Sequence, residues 1–246
     1  MSTYSQIYKV TGYQCDQDST LATPFVFNYL QDSLDNFSRA HGVGYDFCKT
    51  QNLTYILKGY DVQIHSLPHW TDITQMDTDL ISFGPGSLFF LQNLYDSNKK
   101  LLFSSVSHVV LLDLLKKRPA RIKDHFPSSL LQTATQATPA FTSLKPLDCV
   151  HTTREQEITP DYIDFNQHVN NTHYITFAER ALDPVFLKKA RLKRIRVAYK
   201  QAALLGDKLK VESKIAPGFT DHQISSVSDP TKQFARIRFS WLPKAR

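Results

Sequence analysis

The chain has 246 residues, of which 41% are hydrophobic and 12% aromatic, so it has enough apolar material for a packed interior and is not a disordered tail. Its 29 Lys and Arg against 23 Asp and Glu give a net charge of +6, and its three cysteines exclude a framework in which every cysteine is paired. The start of the chain lacks the basic and apolar segments of a secretory signal, and no apolar run is as long as a membrane span. We therefore expect a cytoplasmic protein without membrane insertion.

The positive charge is concentrated in the last quarter of the chain. Residues 1–98 carry 4 basic and 10 acidic side chains, a net of −6, whereas residues 185–246 carry 15 basic and 4 acidic ones, a net of +11. Such a concentration attracts an anionic partner, which could be nucleic acid, membrane headgroups, a phosphorylated ligand or an acidic protein. A solvated charged face explains the same pattern.

The first half of the chain predicts one long helix followed by four strands. Apolar residues at helical spacing, with Pro24 in the first turn and Gly42 after the end, predict a helix over Ala22–His41. The strands are predicted at Leu53–His65, Asp72–Phe83, Ser87–Tyr95 and Leu101–Leu112. A following stretch rich in Pro, Ser, Thr and Ala predicts a connection, so we expect domains at 1–117 and 149–246 joined by residues 118–148.

The second half repeats this plan. A helix is predicted over Asn171–Lys189, with Pro184 ending or kinking it. The strands are predicted at Lys193–Ala203, Asp207–Ile215, His222–Val227 and Lys232–Trp241. One helix serving a run of strands predicts an antiparallel α+β architecture in each half.

The alternation of aromatic and basic residues within these strands indicates whether nucleic acid is a suitable partner. Tyr199, Phe234 and Trp241 could form a stacking surface for nucleic acid, but in the last strand the aromatic residues alternate with Arg236 and Arg238. The rings are therefore expected in the core, which argues against a nucleic-acid surface.

A polar cluster lies where the second helix begins. Asp164, Asn166 and His168 occupy alternate positions, so in an extended stretch their side chains would share one face. Asn170 and Asn171 lie at the helix start, where free N–H groups and the helix dipole favour negative charge. These groups suit attack of water on a carbonyl, with the donors holding the oxyanion. A polar loop that only caps the helix explains the same residues.

The motif Asp164-Phe-Asn-Gln-His-Val-Asn-Asn171, followed by Tyr174, resembles the signature of acyl-ACP thioesterases. Tyr60-Asp-Val-Gln-Ile-His-Ser-Leu-Pro68 and Lys116-Lys-Arg-Pro119 resemble the first domain of that family. The resemblance implies two fused hotdog domains, each an antiparallel sheet wrapped round a long central helix, joined into one continuous sheet. It also implies hydrolysis of fatty acyl-ACP without a metal or other cofactor. The bacterial form fits better than the plastid form, because no transit peptide precedes the first strand, and the family allows a homodimer.

The resemblance also implies roles for individual residues. Asp164 would orient its neighbours or support the water, Asn166 would polarise or position the thioester carbonyl, and His168 would hydrogen-bond the water or the leaving group. At an offset of 148 residues the first half carries Asp18 opposite Asn166 and Thr20 opposite His168. We therefore expect the first half to form the acyl-chain pocket without carrying the catalytic residues.

Two further sets of residues are predicted to bind substrate. The first lines the acyl pocket and consists of Phe25, Tyr29 and Leu53. The second would dock the acidic carrier protein or its phosphopantetheine and consists of Lys188, Lys189, Arg191, Lys193, Arg194 and Arg196.

One position departs from the family pattern. A Glu is expected four residues before the Gly206-Asp207 turn, and this chain has Ala202 there. If that carboxylate is the general base, its loss costs roughly 10²–10⁴ in rate. Asp164 or His168 could act as the base, Glu179 could substitute, or the site could bind without turnover; an engineered substitution would look the same. The alternatives are therefore a non-catalytic acyl-binding or acyl-ACP-binding protein and an acyl-CoA thioesterase.

Overall fold

In a computed structural model, which describes residues 3–141 and 143–244, the chain forms two compact units, residues 1–141 and 142–246. Each unit contains an antiparallel sheet packed against a helix, which confirms the predicted α+β class. None of the helices in the described ranges is long and apolar enough to cross a membrane.

The sheet of the first unit has the strand order β1–β3–β4–β5–β2, with β6 paired to β5, and all its ladders are antiparallel. Its strands are β1 (Tyr4–Lys9), β2 (Leu53–Ile64), β3 (Ile73–Phe83), β4 (Ser87–Tyr95), β5 (Leu101–Asp113) and β6 (Arg118–Pro119). Its helices are α1 (Thr23–Ala40), α2 (Tyr45–Thr50), α3 (Ile122–His125) and α4 (Ser128–Leu131). The predicted helix and the four predicted strands are confirmed to within one residue at each end.

Helix α1 is held on the inner face of this sheet by rings and by one buried amide. Phe27 contacts Tyr60 of β2 edge-on at a centroid distance of 5.4 Å, and Phe37 contacts Phe90 of β4 at 5.4 Å. The buried Gln92 of β4 donates from Nε2 to the carbonyl oxygen of Leu30 at 2.7 Å. Burial of the apolar face drives this packing, and the amide bond fixes the position of the helix on the sheet.

The stretch predicted as a connection packs against the first unit. Ile122, Phe126 and Leu130 are buried, and Gln136 N–H donates to Ile81 O at 3.0 Å. The first compact unit therefore extends to Phe141, well beyond the predicted boundary at residue 117.

The sheet of the second unit has the order β8–β11–β10–β9–β7 and is also antiparallel. Its strands are β7 (Thr152–Glu157), β8 (Ala190–Tyr199), β9 (Lys208–Ala216), β10 (Phe219–Ser226) and β11 (Gln233–Pro243). Its helices are α5 (Asn171–Arg180) and α6 (Pro184–Lys189). Tyr199, Phe234 and Trp241 are buried, as their alternation with the arginines predicted.

Several predicted boundaries in this unit differ from the structure. Strands β8 and β10 each begin three residues before their predicted starts at Lys193 and His222. The single helix over Asn171–Lys189 is divided in two, because Asp183 Oδ1 accepts a hydrogen bond from Val185 N–H at 2.7 Å and Pro184 occupies the first turn of α6. Pro184 thus starts a second helix, which its fixed φ favours. Strand β8 ends at Tyr199, four residues before the predicted end, and residues 200–207 form a loop.

Candidate active site

Residues 164–168 form a tight hairpin turn. Gln167 N–H donates to Asp164 O at 3.0 Å, and Asp164 N–H donates to His168 O at 2.8 Å. Gln167 has φ 63°, so the extended conformation expected for this stretch is wrong. The cause is local: Asp164 Oδ1 accepts a hydrogen bond from Asn166 N–H at 2.8 Å, and such side chain to backbone bonds favour a turn over a strand.

The hairpin presents its polar side chains to solvent. Asn166 and His168 are exposed, Asp164 is half-buried, and Val169 is buried. Ile163 and Val169 pair across the base of the turn in an antiparallel bridge. The amide and the imidazole are therefore accessible to a substrate, while the base of the hairpin is fixed in the core.

The start of α5 is capped, and the cap leaves one N–H free. Asn170 Oδ1 accepts from Thr172 N–H at 3.0 Å, and Asn170 O accepts from His173 N–H at 3.0 Å. This confirms the capping interpretation for Asn170, whose side-chain oxygen is used within the helix. Asn171 N–H has no hydrogen-bond acceptor among the residues described. It is the first-turn donor available to an oxyanion.

The loop after β8 lies against this hairpin. Val169 N–H donates to Ala203 O at 2.9 Å, and Ala203 N–H donates to Tyr174 Oη at 3.0 Å. Ala203 is fully buried, whereas Ala202 is exposed. Ala202 therefore lies one residue from the contact with the hairpin, and it contributes only a methyl group where the resemblance predicts a carboxylate.

Two carboxylates, those of Asp207 and Asp164, lie near the contact between the hairpin and the loop after β8. Asp207 Oδ2 accepts from Leu204 N–H at 2.9 Å and from Lys232 Nζ at 3.3 Å. Burial raises the pKa of Tyr174; the hydrogen bond from Ala203 N–H opposes this shift, whereas the charges of Asp207 and Asp164 add to it. The phenol of Tyr174 is thus neutral and close enough to Asp164 to sense its charge.

His173 and Glu179 also lie on α5. The His173 ring packs edge-on against Tyr162 at 5.0 Å, and burial lowers the pKa of His173 although Asp161 opposes the shift. Glu179 is partly buried and follows Asn171 by eight residues, a rise of about 12 Å along the helix axis. That separation counts against Glu179 as a substitute for the carboxylate missing at Ala202.

The residues predicted for the acyl pocket lie in the first unit. Tyr29 is buried, its ring stacks on Tyr8 at 4.2 Å, and its hydroxyl donates to Gln14 Oε1 at 3.1 Å. Phe25 is half-buried on α1, and Leu53 is buried at the start of β2. A cavity of about 150 Å³ in this unit has other walls, namely Asp79, Leu80, Ile81, Leu91, Thr133, Thr135 and Gln136. The assignment of Phe25, Tyr29 and Leu53 to an acyl pocket stays a prediction.

The residues predicted to dock the carrier lie on α6 and β8. Lys188 and Lys189 are exposed in the last turn of α6, and Arg191 and Lys193 are exposed on β8. Arg194 and Arg196 are partly exposed on β8 and alternate with the buried Ile195 and Val197. The six side chains therefore lie along one continuous stretch of chain with an exposed basic surface.

No metal-binding cluster is found in the part of the chain that the structure describes. Within residues 3–141 and 143–244, no cluster of three or more His, Cys, Asp or Glu side chains is arranged to hold a metal ion.

The first unit contains a turn of the same geometry. Ser19 N–H donates to Asp16 O at 3.1 Å and Asp16 N–H to Thr20 O at 2.8 Å, and Ser19 has φ 58°. Asp16 Oδ1 accepts from Asp18 N–H at 2.9 Å, as Asp164 does from Asn166. The two turns are 148 residues apart, which supports the internal duplication. At the positions of Asn166 and His168 the first turn carries Asp18 and Thr20.

Comparison with known proteins identifies the family. Residues 1–130 match the acyl-ACP thioesterase N-terminal domain, and residues 150–241 match the acyl-ACP thioesterase C-terminal domain. The chain belongs to the acyl-ACP thioesterase family. This membership confirms the resemblance found in the hairpin motif.

Curated relatives of this acyl-ACP thioesterase family member include chloroplastic palmitoyl-acyl carrier protein thioesterases. The protein from Gossypium hirsutum is 22% identical over 98% of this chain, and the protein from Arabidopsis thaliana is 22% identical over 80% of it. The matched regions span 64% and 52% of those two proteins. The chain therefore matches between half and two thirds of the length of its curated relatives.

Solved structures confirm the double hotdog fold. An acyl-ACP thioesterase from Bacteroides thetaiotaomicron superposes with a TM-score of 0.86 at 14% identity, covering 98% of each chain. A 12:0-ACP thioesterase from Umbellularia californica gives a TM-score of 0.84 at 16% identity, covering 99% of this chain and 98% of that one.

Some features of the site were not predicted from the sequence. The free N–H of Asn171 was expected at a helix start, whereas the bond from Ala203 N–H to Tyr174 Oη joins segments 29 residues apart. Tyr174 follows the motif in the sequence, and Gly206-Asp207 marks a turn, but neither pattern indicates which backbone group the phenol binds.

Proposed function

We propose that this protein hydrolyses the thioester of fatty acyl-ACP, releasing a free fatty acid and the carrier protein. The observation that carries the proposal is the hairpin with Asp164, Asn166 and His168 beside the start of α5, in a chain that belongs to the acyl-ACP thioesterase family.

The proposed reaction is attack of water on the thioester carbonyl. The Asn166 amide and the N–H of Asn171 hold the carbonyl oxygen as it gains negative charge. His168 takes a proton from the attacking water as the new carbon–oxygen bond forms. The tetrahedral intermediate then expels the phosphopantetheine sulfur, which receives that proton from His168, and the C–S bond breaks. Asp164 keeps the turn closed through its bond to Asn166 N–H.

A second candidate is a protein that binds the acyl group or acyl-ACP without turning it over. It is favoured by one observation, the methyl group of Ala202 where a carboxylate is expected. A third candidate is hydrolysis of acyl-CoA, because the same site chemistry would act on either thioester.

Release of free thiol by the purified protein separates these candidates. With acyl-ACP we expect turnover, and we expect His168→Ala to lower kcat/KM by roughly 10²–10⁴ because a proton-transfer group is lost. Ala202→Glu should raise turnover by adding a second group that can take a proton from the water. His69→Ala, at an exposed histidine of the first unit, is the control and should retain the parent rate.

The outcomes of this assay are distinct. No turnover in the natural sequence, with turnover appearing in Ala202→Glu, would overturn the enzyme proposal in favour of the binding protein. Faster release of thiol from acyl-CoA than from acyl-ACP would instead indicate that the substrate is acyl-CoA.

We also propose where the substrate docks. The basic residues of α6 and β8 would contact the acidic carrier protein, and Phe25, Tyr29 and Leu53 would contact the acyl chain. A cytoplasmic bacterial setting and a homodimer remain proposals that fit the sequence, although the curated relatives are chloroplastic.

A further inference from the structure

The two peptide groups that flank Ala203 make three hydrogen bonds, through Ala203 N–H, Ala203 O and Leu204 N–H. The N–H of the 202–203 peptide donates to Tyr174 Oη at 3.0 Å. The 203–204 peptide is bound on both sides: Val169 N–H donates to Ala203 O at 2.9 Å, and Leu204 N–H donates to Asp207 Oδ2 at 2.9 Å. Since the Ala203 methyl group is also buried, this residue has a single fixed position, and so does the peptide that carries residue 202.

The first unit builds the same junction from different residues. There Leu21 N–H donates to Pro68 O at 2.8 Å, as Val169 N–H does to Ala203 O. His69 N–H donates to Asp72 Oδ2 at 2.8 Å, as Leu204 N–H does to Asp207 Oδ2. Pro68 therefore stands in the place of Ala203, and a proline has no N–H to donate.

The hydroxyl group that accepts the bond from Ala203 N–H has no counterpart in the first unit either. At the offset of 148 residues that relates the two hairpins, Val26 stands in the place of Tyr174. Val26 is as fully buried as Tyr174, so an apolar side chain fills this position without a hydroxyl. The junction thus forms without the phenol, and the donor and its acceptor occur together only in the unit whose hairpin carries Asn166 and His168.

From this comparison we infer that Tyr174 is a positioning residue of the proposed hydrolase. Its hydroxyl fixes the 202–203 peptide and so holds residue 202 in place beside the hairpin of residues 164–168. The inference rests on the proposed function for its catalytic meaning, but the geometric role can be tested without turnover.

Tyr174→Phe tests the inference kinetically. It keeps the edge contacts of the ring with Tyr199 and Phe177 and removes only the acceptor. When Tyr174→Phe is added to Ala202→Glu, in which residue 202 carries a carboxylate, we expect kcat on acyl-ACP to fall roughly 5- to 30-fold with KM nearly unchanged. This is the factor for one lost hydrogen bond. Tyr55→Phe is the matched control, because it removes a hydroxyl that donates to Val43 O in the first unit, and it should retain the parent kcat.

A double variant separates positioning from simple loss of stability. If Tyr174 positions residue 202, the gain in kcat from Ala202→Glu should shrink several-fold when Tyr174→Phe is also present. Multiplicative, independent effects of the two substitutions would overturn the inference, as would an equal kcat in Ala202→Glu and in the double variant.

Hydrogen exchange provides a readout that does not depend on activity. The Ala203 amide should exchange at least about tenfold faster in Tyr174→Phe, and in Tyr55→Phe it should exchange as in the parent protein. Equal protection of this amide in the parent and in Tyr174→Phe would overturn the inference even in a protein without turnover. Absence of turnover in all variants, with faster exchange at Ala203, would instead reject the proposed function and keep the positioning role.

Discussion

His222 lies inside the second unit with both ring nitrogens in contact with hydroxyl groups. Nδ1 is 2.8 Å from Ser213 Oγ, and Nε2 is 3.0 Å from Thr220 Oγ1. Burial lowers the pKa of His222 to about 3, because the charged ring loses its hydration there. Between pH values of about 3 and about 6.5 the histidine is therefore neutral in the folded protein, whereas a histidine in an unfolded chain is protonated there.

This burial predicts acid sensitivity. Between the unfolded pKa of about 6.5 and the folded value of about 3, the unfolded state binds one proton more than the folded state. The free energy of unfolding therefore falls as the pH falls through this window, by up to about 1.4 kcal/mol per pH unit from this residue. In His222→Gln we expect the free energy of unfolding, measured by urea denaturation, to change less steeply with pH between pH 6.5 and pH 4.

A control separates titration from packing. Phe239→Leu alters a ring 5.1 Å from His222 and should lower stability by a similar amount at each pH. Equal pH slopes in the parent and in His222→Gln would contradict the assignment of this titration to His222.

Among the elements, two equivalent turns carry different residues at the position with positive φ. Thr71 has φ 75° and Gly206 has φ 83°. Thr71 N–H donates to Val10 O, and Gly206 N–H donates to Ile158 O. A β-branched residue in this left-handed region is strained, whereas glycine adopts it freely.

Opposite effects of substitution are expected at these turns. Thr71→Gly should change the stability of the first unit only slightly, with a gain of up to about 1 kcal/mol, because relief of strain exceeds the added entropy of the unfolded chain. Gly206→Ala should cost about 1–2 kcal/mol through φ alone, since no atom lies within 4 Å of the added Cβ. Denaturation monitored by the fluorescence of Trp70 and Trp241 measures both. A clear loss of stability in Thr71→Gly would contradict the assumed strain.

The elements also show what the sequence could predict. Regular alternation and helical spacing located α1 and strands β2 to β5 closely, because burial of one face determines both pattern and structure. The turn at Asp164–His168 was missed, and the break that Pro184 indicated lies before a second helix that was not predicted. Both depend on an aspartate that binds a nearby backbone N–H, and this local bond overrides the periodic pattern.

Site residues were predictable only in part. The motif located Asp164, Asn166, His168 and the departure at Ala202, because these are properties of the local sequence. The contact between Val169 and Ala203 was not predictable, since it joins segments 34 residues apart that only the folded sheet and helix bring together.

At the scale of the whole molecule, the uneven distribution of charge along the chain predicts that electrostatic attraction contributes to substrate binding. The last 62 residues hold a net charge of +11, and part of it lies on exposed side chains of α6 and β8. Attraction between such exposed charges and an acidic carrier is screened by salt.

We therefore expect kcat/KM on acyl-ACP to fall as salt is raised from 50 to 500 mM. The double substitution Lys188→Glu and Lys193→Glu should lower kcat/KM several-fold at low salt and flatten its salt dependence. Lys49→Glu, at an exposed lysine of the first unit, serves as the control. A kcat/KM that is insensitive to salt would count against a docking role for these residues.

The proline at position 68 makes the difference between the two units hard to reverse. Asparagine and histidine could be introduced at Asp18 and Thr20 by single substitutions, but a tyrosine at Val26 would find no backbone proton to accept while Pro68 remains. A second hairpin with the same support would therefore need Pro68 replaced as well as Asp18, Thr20 and Val26. The two halves of the chain thus differ by a linked set of residues, and no one exchange makes them equivalent.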